Sequence, residues 1–188
     1  MGKARIRPIE WINCKKDRRF FIDANIWIYL NGPQVKKDYK TREYSGALKK
    51  IRDSHSAIYI DVLVLSEFIN RYLRIKLAEW DSRGVEATLK NFRSSSDYPA
   101  VAENIADAVR GILKVCERID SGFASVDIDS LIGDFGAKRL DFNDQILAEI
   151  CRTQDLTMIT HDGHFSRCDI KVLTANKHML EPSSQPVD

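Results

Sequence analysis

The sequence lacks several features that would have settled its class at once. It has four cysteines, Cys14, Cys116, Cys151 and Cys168, and no Cys-x-x-Cys pair among them. In a chain of 188 residues this scatter favours reduced thiols over a disulfide framework. No apolar run approaches the roughly 18 residues of a membrane span. Lys3, Arg5 and Arg7 are followed by no apolar segment, so no export signal is expected. The expectation is a soluble cytoplasmic protein with no membrane partner. There is no internal repeat, no low-complexity tract and little net charge, with 29 basic and 27 acidic residues giving +2. That balance does not by itself imply a nucleic-acid partner, although a net value hides local segregation of sign.

Patterning supplies the architecture. Arg19 to Ile22 reads as a buried strand ending at Asp23, and Asn31-Gly32-Pro33 stops the helical turn that follows. Tyr39 to Arg52 has Tyr44, Ala47, Leu48 and Ile51 at helical spacing. The segment SAIYID gives a second strand, and Asp61 is placed to cap a helix from Val62 to about Trp80. Residues 81–125 read as mostly helical, with the best helix from about Pro99 to Ile119. Asp141 to Arg152 is a further helix, LTMIT (156–160) a short buried strand, and DIKVLTA a last strand. Strands alternating with helices predict an α/β domain with a mostly parallel sheet. The expected organisation is one domain over 1–180, with 81–125 as a helical insertion or extension and 181–188 as a disordered tail.

Four acids stand where such a sheet places its ligands, outside the carboxyl ends of the strands. Asp23 ends the first strand, and Glu67 lies early in the helix after the second. Asp144 is in the first turn of its helix, and Asp162 follows TMIT. Each alone has an ordinary structural explanation: a helix-terminus acid for Asp23 and Asp144, a turn pair for Asp162-Gly163, a solvated helix position for Glu67. Together they are harder to explain structurally. Two carboxylates about 4 Å apart repel by roughly 4 kcal/mol at an effective dielectric of about 20. A set of four must therefore take up protons or hold a cation. Oxygen ligands suit a hard ion, Mg²⁺ or Mn²⁺, and such an ion serves phosphodiester hydrolysis. Asp23 and Asp162 are the expected direct ligands, with Glu67 and Asp144 holding waters or a second ion.

The segments FIDANIWIYL, YIDVLVLSEF and NDQILAEICRTQDLTMITHDGHF resemble the PIN-domain nucleases, including VapC-type toxins of toxin–antitoxin modules. The resemblance implies a PIN-like three-layer α/β/α fold and a divalent-metal-dependent endoribonuclease. Asp23, Glu67, Asp144 and Asp162 would be its catalytic and metal-binding acids. It matches Asn25 and Thr160 to accessory polar positions; Asn25 reads equally as a cap of the turn after Asp23. Asp141 is taken as the N-cap of the helix that carries Asp144, or as an extension of the acidic pocket. The family also admits a cognate antitoxin and a homodimer. The long span between Glu67 and Asp144 departs from a compact toxin and bears on the toxin role more than on the chemistry.

RNA needs cations near the acids. Arg139, Arg71 and Arg74 are the candidates for substrate contact, with Lys76, Lys138 and the Lys49, Lys50, Arg52 cluster as further basic positions. His161, His164 and Cys168 lack a fourth zinc ligand at local spacing and read as loop residues beside Asp162. Trp11, Trp27 and Trp80 read as core or interface residues rather than as base-stacking platforms. A strand-end phosphatase is disfavoured because DAN offers Asn25 where a second acid would be needed. The alternative from another class is a non-catalytic PIN-type module that binds RNA or protein.

Overall fold

The computed structural model describes residues 3–12, 18–33, 38–136 and 141–181. Six strands form one parallel sheet: β1 (Arg5–Pro8), β2 (Arg19–Ile22), β3 (Ala57–Ile60), β4 (Glu117–Arg118), β5 (Thr157–Ile159) and β6 (Lys171–Thr174). Their order is β1-β6-β5-β2-β3-β4. The register puts Phe21 opposite both Tyr59 and Met158, so β2 lies at the centre of the sheet.

Eight helices are found among the described residues: α1 (Ala24–Asn31), α2 (Tyr39–Asp53), α3 (Val62–Glu79), α4 (Leu89–Arg93), α5 (Tyr98–Leu113), α6 (Ile128–Gly136), α7 (Phe142–Thr153) and α8 (Lys177–Leu180). With the sheet they make the three-layer α/β/α arrangement expected from the sequence. No helix among the described residues is long and apolar enough to cross a membrane.

Parallel pairing buries the central strands on both faces, which explains their continuous apolar runs. Phe20, Phe21, Ile22, Ile58, Ile60, Met158, Ile159 and Val172 are all buried. Trp27 of α1 is buried with them and donates its indole N–H to the Ile22 carbonyl at 3.1 Å, fixing α1 against its own strand. Gly32 ends α1, where a Cβ would collide with the Ile28 carbonyl oxygen. Asp61 caps α3 as expected, its side chain accepting from Leu63 N at 2.8 Å. Cys116, Cys151 and Cys168 are free thiols.

The structure corrects the sequence reading in four places. The helix expected to reach Ile119 ends at Leu113, and Glu117–Arg118 instead extend the sheet beyond β3. Thus 81–125 is less helical than its periodicity indicates, because two residues of strand are too short to show an alternating pattern. β1, whose sequence RIRP carries two charges, is an additional edge strand. Asp141 occupies the N-cap position of α7 but makes no side-chain capping bond. Of the core-or-interface reading of Trp11, the core half fails, since the residue is 64% exposed. Residues 182–188, Cys14, Lys138 and Arg139 lie outside the described residues.

Candidate active site

Three strand ends meet where β2, β3 and β5 stop. Asp23 follows β2 directly and is 4% exposed. Its Oδ2 accepts from the Thr160 hydroxyl at 2.6 Å and from the Asn25 amide at 2.6 Å. The Thr160 oxygen accepts in turn from Asn25 Nδ2 at 3.1 Å and from the backbone N–H of Asp162 at 3.0 Å. The backbone N–H of His161 donates to Asn25 Oδ1 at 3.2 Å. Asn25 is therefore more than a cap: it ties the start of α1 to the loop after β5. The same short chain of bonds ties Asp23 to Asp162 on one side of the molecule.

Above this buried knot is an open crevice lined by Glu67, Arg71 and Arg74 of α3, Phe135 of α6, Asp141 and Asp144 of α7, and Asp162 with His164. Asp144, Asp162 and His164 offer ligand atoms that all lie within 4.8 Å of one another, the one such group among the described residues. His164 Nδ1 stands 3.6 Å from Asp162 Oδ1 and 3.7 Å from Asp144 Oδ2. Asp162 holds this turn by accepting from His164 N at 2.9 Å. Glu67 faces Arg71, with 3.9 Å between Oε1 and the guanidinium.

The acids bear on one another electrostatically. Burial pushes Asp23 up to about 7; the Thr160 hydrogen bond pulls the other way, and Glu67 and Asp144 add to the rise. Burial and then the charge of Asp162 raise Asp144 to about 6, with Asp141 and Glu67 contributing further. Glu67 is raised by burial, opposed by Arg71, and raised again by Asp162. Protons at a set of carboxylates are what such crowding produces without a counter-charge. A dication removes the conflict, and the carboxylate oxygens of Asp144 and Asp162 suit Mg²⁺ or Mn²⁺, with the His164 imidazole beside them. The donor set therefore fits a hard metal.

Of the residues marked in the sequence, Asp23, Asn25, Thr160, Glu67, Asp144, Asp162, Asp141, Arg71 and Arg74 all lie at this place, in the knot or in the crevice. Lys76 instead pairs with Glu79 at 2.8 Å, and Lys49 and Arg52 line a separate groove beside α1. His164 was read only as a neighbour of Asp162. The signal that could have found it is the Asp162-Gly163-His164 turn, whose side-chain-to-backbone bond aims the imidazole at α7. Phe135 had no sequence signal, since α6 was not resolved in the periodicity of that region.

The PIN domain family model matches residues 20–171, which takes in every acid of the set. The chain belongs to the PIN domain family. PIN domains are generally nucleases. Among solved structures, VapBC2 from Rickettsia felis bound to a DNA fragment from their promoter is similar at 16% identity and TM-score 0.50. That match covers 83% of this chain and 98% of that one. PAE2754 from Pyrobaculum aerophilum is similar at 13% identity and TM-score 0.48, over 87% of this chain and 96% of that one. At 16% identity the likeness to VapBC2 concerns the fold alone. No curated protein matches the chain.

Proposed function

We propose that this PIN domain is a divalent-metal-dependent endoribonuclease cutting RNA at the crevice lined by Glu67, Asp144 and Asp162 above the buried Asp23. The observation that carries the reading is the gathering of Glu67, Asp144 and Asp162 in one crevice above the buried Asp23, a crowding that a fold devoted only to stability has no reason to keep. Asp144 and Asp162 would hold the ion, with Asp23 and Glu67 completing its charge balance. When bound, the ion supplies acidity to a water and stabilises charge on the phosphoryl oxygens.

The chain's own residues do the rest. Thr160 and Asn25 fix the Asp23 carboxylate in one orientation. Arg71 and Arg74 bind phosphates on the α3 wall of the crevice. Glu67, half-exposed and raised, accepts a proton from the attacking water at its carboxylate. The structural neighbour from Rickettsia felis is a VapBC2 assembly on promoter DNA. Carried to this chain, that relationship and the resemblance of its sequence support an antitoxin that covers the crevice, a toxin role in the cytoplasm and a homodimer.

The deciding experiment incubates the purified protein with mixed structured RNAs in Mg²⁺, Mn²⁺ or EDTA, beside Asp23→Asn and Asp144→Asn. Metal-dependent cleavage lost in both variants is the expected result. Cleavage that persists in EDTA removes the proposal, and binding without cleavage in any metal replaces it with a non-catalytic RNA-binding module.

A further inference from the structure

A second charged surface lies at the other end of the sheet. Arg5 and Arg7 alternate onto one face of β1, and the register sets Arg5 beside Lys171 of β6, which in turn neighbours Thr157 of β5. With Arg18 these cations border a groove of about 290 Å³ whose wall includes Trp11 and whose base reaches the buried Phe20. Arg5, Thr157 and Lys171 are the first residues of their strands, whereas Asp23 and Asp162 come after the last residues of β2 and β5. The groove and the acidic crevice are thus separate surfaces.

Charges on an edge strand commonly serve to block pairing with another chain. That role explains Arg5 and Arg7, but it does not explain Trp11. A tryptophan 64% exposed among cations leaves a large aromatic surface in water that the fold had no need to put there. Asp155 is the acid that offsets this charge, its carboxyl lowered by the bond to Lys171 and also by the nearby Arg5 and Arg19. Among the described residues, Lys171 pairs with Asp155 at 2.6 Å, and no ion pair is found for Arg5, Arg7 or Arg18. A row of positive charge beside an exposed aromatic ring is the arrangement that tracks a phosphodiester backbone and stacks an unpaired base. A duplex keeps its bases stacked on each other and offers Trp11 no partner; an acidic peptide offers charge but no flat ring.

We propose that the Arg5, Arg7, Arg18, Lys171 and Trp11 groove binds single-stranded RNA at a site distinct from the acidic crevice. This goes beyond the nuclease reading and stands without it, because binding here requires neither metal nor cleavage. A protein with both surfaces would hold a strand at the amino ends of the sheet while another part of it, or another strand, enters at the carboxyl ends.

The test is a titration of a fluorescently labelled 12-nucleotide single-stranded RNA in EDTA, followed by anisotropy at several salt concentrations. Parent protein is compared with Arg5→Ala/Arg7→Ala, Trp11→Ala, Trp11→Phe and the crevice variant Arg71→Ala/Arg74→Ala, each checked for folding by circular dichroism. Removing both arginines should weaken binding about tenfold or more. It should also lower the salt slope by about 1.4, two phosphates at roughly 0.7 each on a single strand. Trp11→Ala should weaken it about tenfold with the slope unchanged, and Trp11→Phe should retain most of the affinity. RNA should quench parent tryptophan fluorescence and do so far less in Trp11→Phe. In the crevice variant the RNA-induced quench of Trp11 fluorescence should persist, because Trp11 lines the groove and not the crevice. Unchanged binding in Arg5→Ala/Arg7→Ala overturns the proposal, as does loss confined to the crevice variant. So does equal competition by polyglutamate of matched charge, which would make the groove a site for acidic protein, or equal binding of a duplex with no effect of Trp11→Ala.

Discussion

Thr160 donates its hydroxyl to Asp23 Oδ2 at 2.6 Å across 137 positions of sequence, and the same oxygen accepts from the backbone of Asp162. One hydroxyl thereby sets the position of a buried carboxylate and of the loop that carries a second one. Thr160→Val keeps the volume but leaves a buried acid short of a donor and an amide short of an acceptor. Each loss is worth about 1–3 kcal/mol. The expected outcome is a protein destabilised by a few kcal/mol in urea, with Mn²⁺ affinity by calorimetry reduced at least tenfold. Thr160→Ser should recover most of both. Wild-type Mn²⁺ binding in Thr160→Val would show that the bond does not position the site.

The raised acids make metal-free stability depend on pH in a definite direction. Asp23 moves from 3.8 to about 7 and Asp144 from 3.8 to about 6 on folding. Between about pH 4 and 7 the folded state therefore holds more protons than the unfolded state, and stability falls as pH rises. Urea midpoints measured in EDTA should decline across that window for the parent and decline much less for Asp23→Asn. At pH 8 in EDTA, Asp23→Asn should melt higher by on the order of 5 °C, since a chain of this size gains about 2–4 °C per kcal/mol. Added Mn²⁺ should raise the parent and leave the variant nearly unmoved. A parent midpoint that does not fall relative to Asp23→Asn would place the Asp23 proton elsewhere.

Much of this site was legible because each acid closes or follows an element with its own strong pattern. Asp23 ends an apolar run, Glu67 and Asp144 lie early in helices whose apolar faces are long, and Asp162 follows a short apolar strand. The failures came where the pattern is too brief or too polar to register. β4 has two residues, both charged, and it forms only because β3 offers it an edge. β1 reads as a basic stretch, since half of its residues face solvent. Asp141 holds the N-cap position expected of it and also lines the crevice, the second of the two readings its sequence left open, but the capping bond itself is not made. The Asn25 bond to the loop after β5 joins segments 136 positions apart, and no local rule reports it.

Tyr44 is the support beneath that loop. Its hydroxyl accepts from Ala175 N at 2.9 Å, lies 2.8 Å from His161 Nδ1 and donates toward the Thr160 carbonyl at 3.2 Å, with the residue 1% exposed. Burial pushes the phenol up to about 12, so it stays protonated and keeps this role through the working range of pH. Tyr44→Phe preserves the ring packing and removes the hub, leaving the Ala175 amide unpaired. Stability by urea unfolding should fall by about 1–3 kcal/mol. Hydrogen exchange should rise at His161 and Ala175 while the amides of β2 stay protected. Unchanged exchange at those two positions would mean that the loop is held by packing alone.

Arg71 and Arg74 face the crevice from α3, whereas Lys76 is engaged by Glu79. If the two arginines bind phosphates, removing either should raise KM for RNA about tenfold at low salt and leave kcat within about threefold. Uniform binding energy is lost from substrate and transition state alike. The dependence of KM on salt should also become shallower by roughly 0.7 in slope for each arginine removed. Lys76→Ala should change neither quantity. Arg71 carries a second duty, since it is the largest influence holding Glu67 down against burial and Asp162. Arg71→Ala should therefore also shift the acid limb of the pH–rate profile upward, and Arg74→Ala should shift it less, because Arg74 acts on Glu67 more weakly. Steady-state kinetics at several salt concentrations and pH values separates the two duties. Equal KM and equal salt slope in Arg71→Ala, Arg74→Ala and the parent would exclude the α3 wall as the path of the substrate.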